Sequence, residues 1–117
     1  MISAMNASLS GLQVTAVRVN STANNVANLN TDGFKKSRVV QSAEELQGVR
    51  ATVERVETPG PVVQEQTSDK MEYVEKSNVD LAEEMPSMMM SQHTYNANIK
   101  TMQTADEMAA TLLDIKG

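Results

Sequence analysis

Ile2, Met5, Leu9, Leu12, Ala16, Val19, Ala23 and Val26 follow one another at alternating steps of three and four residues. That spacing draws a narrow apolar seam along one side of an α-helix, the geometry by which one helix packs on another. Six of these eight residues are large and apolar, and the two alanines let a partner approach closely. Val14 and Val17 add a small second apolar patch, while Ala4, Ser8, Ser10, Gln13, Thr15, Asn20 and Ser21 are small or polar but uncharged. A surface helix of a monomer would carry more Lys and Glu at such positions, so the pattern suits a helix crowded on several sides. At about 1.5 Å per residue, a helix of some 25 to 28 residues is a rod of about 40 Å. That is long for a chain of 117 residues.

The seam runs into Asn24, Asn25, Asn28 and Asn30, followed by Thr31-Asp32-Gly33-Phe34. Asparagine competes for backbone hydrogen bonds and is a mediocre helix former, so the cluster reads as a specified stop. Gly33 is the residue most able to take a positive φ, and Phe34 is a lone large anchor. Beyond it Val39-Val40, and then Val49, Ala51, Val53 and Val56 among polar neighbours, approach a period of two. A strand is expected from about Gly48 to Thr58. Pro59-Gly60-Pro61 turns the chain, and residues 61–65 and 71–76 return as one or two short strands around a polar loop at 66–70.

The second helical pattern runs through Leu81, Met85, Met88, Gln92, Tyr95, Ile99 and Met102, then slips near Ala105 before Ala109, Leu112 and Ile115. Asn78 or Asp80 suits the N-cap, Glu83 and Glu84 favour the first turns through the helix dipole, and Lys116-Gly117 suits the end. Pro86 removes a backbone donor, so the helix either bends there or begins near it. The expected fold is mainly α with a small β element. Two long terminal helices pair as an antiparallel coiled coil around a short hairpin-like middle, in one structural domain. Its parts are residues 1–33 (helix and stop), 34–77 (β and loop) and 78–117 (second helix).

Composition removes most chemistry. With 3% aromatics, one Phe, no Cys and one His, the chain lacks the material for a large core, a disulfide frame or a zinc site. His93 has only Ser91 nearby, on a different side of the helix, and reads as a surface or packing residue. The carboxylates of Glu83-Glu84 and Asp106-Glu107 diverge, and Met88-Met89-Met90 reads as adaptable packing, not a soft metal site. No phosphate loop, metal-ligand spacing or nucleophile elbow is present. The expectation is therefore no enzyme, no cofactor, no metal and no small-molecule substrate. No apolar run approaches the roughly 20 residues that span a bilayer, and residues 1–6 lack the features of a cleavable signal. Residues 1–40 hold Arg18, Lys35, Lys36 and Arg38 against Asp32 alone, in a chain of net charge -5. The ends should attract each other, but no basic stripe for nucleic acid exists.

Two stretches carry a family resemblance. Ser10-Gly11-Leu12, Arg18, Ala23-Asn24-Asn25-Val26-Ala27-Asn28 and Asn30-Thr31-Asp32-Gly33-Phe34-Lys35-Lys36 resemble the N-terminal signature of bacterial flagellar axial proteins, the rod, hook and hook-associated subunits. Ser77-Asn78-Val79-Asp80, Glu83-Glu84-Met85, Tyr95, Ala97-Asn98, Lys100 and Gln103-Thr104-Ala105-Asp106-Glu107-Met108 resemble its C-terminal signature. The resemblance implies paired terminal helices in the inner layer of a tube, export through the flagellar type III channel without a cleavable signal, and helical polymerisation. The short middle favours a basal-body rod subunit in the periplasm, compact like proximal-rod proteins, although Tyr73-Val74-Glu75 before Ser77-Asn78-Val79 looks more like the distal-rod branch. Pro86 and His93-Thr94 depart from the family pattern.

The expected assembly interface comprises Leu9, Leu12, Ala16, Val19, Ala23 and Val26 on the first helix, and Met88, Tyr95, Ile99, Met102 and Leu112 on the second. Asn24, Asn25, Asn28, Asn30, Thr31, Gly33 and Phe34 form the turn that leads the chain out of the helical layer. The expected partners are the chain itself and other rod or hook subunits. The alternative from another class is a helical adaptor or chaperone-like protein that binds partner helices without polymerising.

Overall fold

The computed structural model describes residues 2–44 and 48–115. α1 (Ile2–Ala27) leads through a turn into β1 (Ser37–Ala43) and β2 (Val49–Arg55), then β3 (Val62–Thr67) and β4 (Lys70–Glu75), and closes on α2 (Leu81–Ile115). The two helices pack antiparallel: Asn25 near the end of α1 meets Glu84 near the start of α2, and Gly11 lies against Asn98. The extents of 83 × 25 × 17 Å and a radius of gyration of 20.9 Å describe a rod. A compact chain of this length would have a radius of gyration of about 13 Å.

The strands form two separate antiparallel hairpins. In the first, Ser37 pairs with Arg55 and Ala43 with Val49, and the sheet rests on α1. Ser10 ties them together, its Oγ accepting from the Val49 N–H at 3.2 Å while donating to the Ala7 carbonyl at 2.8 Å. In the second, Val62 pairs with Glu75 and Thr67 with Lys70. Only Ser68 and Asp69 separate the last pair, so the polar loop expected over 66–70 is mostly strand. β3 is exposed along its whole length, and this hairpin stands clear of the helices.

α2 begins one residue after Asp80, whose Oδ1 accepts from the Ala82 N–H at 2.8 Å, the N-cap arrangement. Of the two residues expected to cap, Asp80 does so. Helix α2 continues through Pro86, which lies beyond the first turn and has no N–H to give the Ala82 carbonyl. The expected end at Lys116-Gly117 lies outside the described residues.

Candidate assembly surface

The asparagine-rich stop is a hydrogen-bonded joint. Asn28 closes α1, its N–H donating to the Asn24 and Asn25 carbonyls and its Nδ2 to the Asn24 carbonyl at 2.8 Å. Its Oδ1 accepts from Thr31 Oγ1. Gly33 takes φ +67 and donates its N–H to the Glu75 carbonyl at 2.8 Å, so the turn out of α1 is stitched to β4. Phe34 is half-buried, and its carbonyl accepts from the Asn78 N–H. Asn24 and Asn30 are exposed.

Asn25 is the centre of the joint, 1% exposed. Its Oδ1 accepts from the Ser37 N–H at 2.9 Å; its Nδ2 donates to the Ser37 carbonyl at 2.8 Å and to Glu84 Oε1 at 3.0 Å. One side chain thereby satisfies the start of β1 and the first turns of α2. Asn78 does the same on the other side: its Oδ1 accepts from the Lys36 N–H and its Nδ2 donates to the carbonyls of Val56 and Thr58. Sequence reasoning placed Asn78 as a possible cap and in the C-terminal signature; nothing in local spacing points to partners 20 or more residues away.

The buried side chains of the two helices are small and mostly polar, and Val14 and Ser21 among them face the first hairpin. On α1 the buried residues are Ser8, Val14, Thr15, Ser21, Thr22 and Asn25; on α2 they are Glu84, Ser91 and Ala105. Thr15 Oγ1 donates to the Gly11 carbonyl at 2.7 Å and Ser91 Oγ to the Ser87 carbonyl at 2.9 Å, so these hydroxyls are satisfied within their own helices and pack like small apolar groups. No buried side-chain nitrogen or oxygen among the described residues lacks a partner. At Gly11 an added Cβ would lie 2.7 Å from Asn98 Nδ2, a measure of how closely the helices approach.

The large apolar residues flank this interior instead of filling it. With about 100° between successive residues of a helix, the stripe from Ile2 to Val26 is centred roughly a third of a turn from the buried one. Leu9 is 47% exposed; Ala16 and Ala23 are exposed; Met5, Leu12, Val19 and Val26 are half-buried. On α2, Met88, Ile99 and Met102 are half-buried, Tyr95 is 42% exposed and Leu112 is exposed. Ala16, Val19, Met88 and Tyr95 do come together, lining an open groove of about 480 Å³ between the helices with Ser91 at its floor. Leaving large apolar side chains in water forgoes about 1.5–3 kcal/mol for each fully exposed one.

Residues 5–35 match the family profile described as "Flagella basal body rod protein", and residues 66–115 match "Flagellar basal body rod FlgEFG protein C-terminal". The chain belongs to the flagellar axial protein family. It is also 46% identical over 43 residues to the flagellar hook protein FlgE of Rhizobium meliloti (strain 1021), an alignment covering 37% of this chain and 11% of that relative. Both family descriptions and this relative are flagellar rod or hook proteins.

In this axial protein the two signatures meet in space. Asn25 from the first bonds Glu84 from the second, and Gly11 from the first packs on Asn98 from the second. The ion pairs of Lys35 with Glu75, and of Lys36 Nζ with Glu83 Oε2 at 2.6 Å, join the basic first stretch to the acidic remainder as expected, while Lys76 Nζ pairs in the opposite sense with Asp32 Oδ1 at 2.8 Å and, within the middle segment, with Glu65. The Lys35 ammonium and then the Gly60 N–H hold the Glu75 carboxyl below its ordinary range, against the opposing effect of partial burial. Asp32 and then Glu65 push the Lys76 ammonium up. His93 is exposed and Ser91 is turned to its own helix, so these two side chains do not face each other. Among the described residues no cluster could hold a metal ion, and no helix is long and apolar enough to cross a membrane.

Proposed function

We propose that this chain is a structural subunit of the flagellar basal-body rod that polymerises through its terminal helices into a helical tube. The observation that carries the reading is the division of labour on the helices. A small polar seam joins α1 to α2, while the apolar stripes through Leu9, Leu12, Val19, Tyr95 and Ile99 remain open beside it. In an open-ended assembly those stripes are covered by neighbouring copies or by other rod and hook subunits, and head-to-tail contacts let the structure elongate. The asparagine joint then fixes the angle at which the β hairpins leave the helical layer. Export through the flagellar type III channel and a periplasmic position within the basal body belong to the same reading.

Basal bodies imaged from a strain lacking this chain test the reading. Absent or truncated rods, restored by the gene in trans, are expected. Intact rods would contradict it and favour a non-polymerising adaptor.

A further inference from the structure

Arg18 is half-buried, and its side chain has no hydrogen-bonding or ionic partner among the described residues. It lines a polar cleft of about 600 Å³ at the base of the helix pair, with Lys36, Arg38, Ser21, Ser37 and Glu83 also on its walls. The carboxylates lining the cleft are already engaged, Glu83 by Lys36 and Glu84 by Asn25, and Arg38 is paired with Glu54. The guanidinium of Arg18 alone stands ready for an anion. A guanidinium, with five donors and no acceptor, favours a carboxylate that reaches it in planar geometry.

The complementary charge lies at the other end of the rod. Asp106 and Glu107, adjacent on α2 and exposed, have no cationic partner among the described residues. They cannot reach Arg18 within one chain. The antiparallel register, with Gly11 beside Asn98 and Asn25 beside Glu84, sets Arg18 level with about residue 91 of α2. Asp106 is therefore roughly 15 residues further along, about 22 Å at the helical rise.

We propose that the Arg18 cleft receives one carboxylate of the Asp106-Glu107 pair of a second copy, the two side chains pointing about 100° apart on α2. Neighbouring copies then stagger by about 20–25 Å along the helix axis. The contact is heterologous: each copy offers a cleft at one end and an acidic pair at the other, so it repeats without closing. This rests on the reading that the chain assembles with itself, and adds which charged groups set the register.

The test is a charge swap in the full-length chain, with assembly followed by sedimentation and electron microscopy and helicity by circular dichroism. Arg18→Glu, and separately Asp106→Lys with Glu107→Lys, should raise the concentration needed for assembly at least about tenfold while leaving helicity unchanged. Combining all three substitutions should restore it. Because the chain has no native Cys, Arg18→Cys with Glu107→Cys should give a ladder of disulfide-linked multimers under oxidation. Normal assembly of Arg18→Glu, failure of the combined variant to recover, or no ladder in assembled material overturns the inference and leaves assembly through the apolar stripes standing. A wild-type chain that never assembles overturns both.

Discussion

Asn25 Nδ2 donates to Glu84 Oε1 at 3.0 Å, across 59 positions of sequence, with both residues buried where α1 ends and α2 begins. The contact closes the joint between the helical pair and the sheets. It also shows why an asparagine stands there. A carboxylate at residue 25 would repel Glu84, and an alanine would leave Glu84 and the Ser37 N–H without a partner and the Ser37 carbonyl with only the Ser21 hydroxyl.

Asn25→Ala should therefore destabilise the folded chain by about 2–3 kcal/mol, the scale of removing a partner from a buried charged group. Asn25→Asp should cost at least as much at neutral pH. Urea denaturation of the two variants checks this, and little change in midpoint would mean that the joint contributes nothing.

Gly33 and Gly60 are required for different reasons and should respond differently. Gly33 sits at φ +67 with open space around the position of a Cβ, so only conformation opposes substitution. Gly33→Asn should be nearly neutral and Gly33→Val should cost more than about 1–2 kcal/mol, read from thermal unfolding.

At Gly60 an added Cβ would lie 2.0 Å from the Lys76 carbonyl oxygen, a backbone atom with little freedom because Lys76 N–H donates to the Pro61 carbonyl. Gly60→Ala should cost about 3 kcal/mol or displace the second hairpin. Amide chemical shifts of residues 60–76 distinguish displacement from simple loss of stability.

The ion pairs of the joint have a defined pH window. Glu75 titrates below its unfolded value, so its contribution is present above the ordinary glutamate range and is lost as pH falls through the still lower folded value. Lys76 titrates above its unfolded value, so its contribution is complete below the ordinary lysine range and is lost as pH rises through the still higher folded value. Stability should be flat with respect to these two groups near neutral pH. Glu75→Gln should remove much of the acid-side fall in a plot of unfolding midpoint against pH.

Much of this architecture is legible in residue order. The seam from Ile2 to Val26, the stop at Asn28, the positive φ at Gly33, the strand near Val49–Arg55 and the cap at Asp80 all follow from local spacing and backbone preference. β1 is less visible because Val39 and Val40 are adjacent and its remaining residues are polar, so no alternation marks it. The second hairpin is longer than its apolar residues suggest because Gln64 and Gln66 pair through backbone alone on a solvated sheet, and Glu65 adds an ion pair with Lys76. The intramolecular seam is the harder case. Thr15 and Ser91 look like solvent-facing residues until their hydroxyls are seen to bond the preceding turn, which lets a polar sequence bury a face. The apolar spacing marked the helix correctly but pointed to the side left open in a single chain.

That open side is the centre of the account, and Leu9 tests it most directly. At 47% exposure, Leu9→Asp should leave the helicity of the unassembled chain nearly unchanged. The decisive measurement is electron microscopy of wild-type and Leu9→Asp chains at equal concentration. Tubes from the wild type and none from the variant are predicted; tubes of equal length from both would contradict an interface along this stripe.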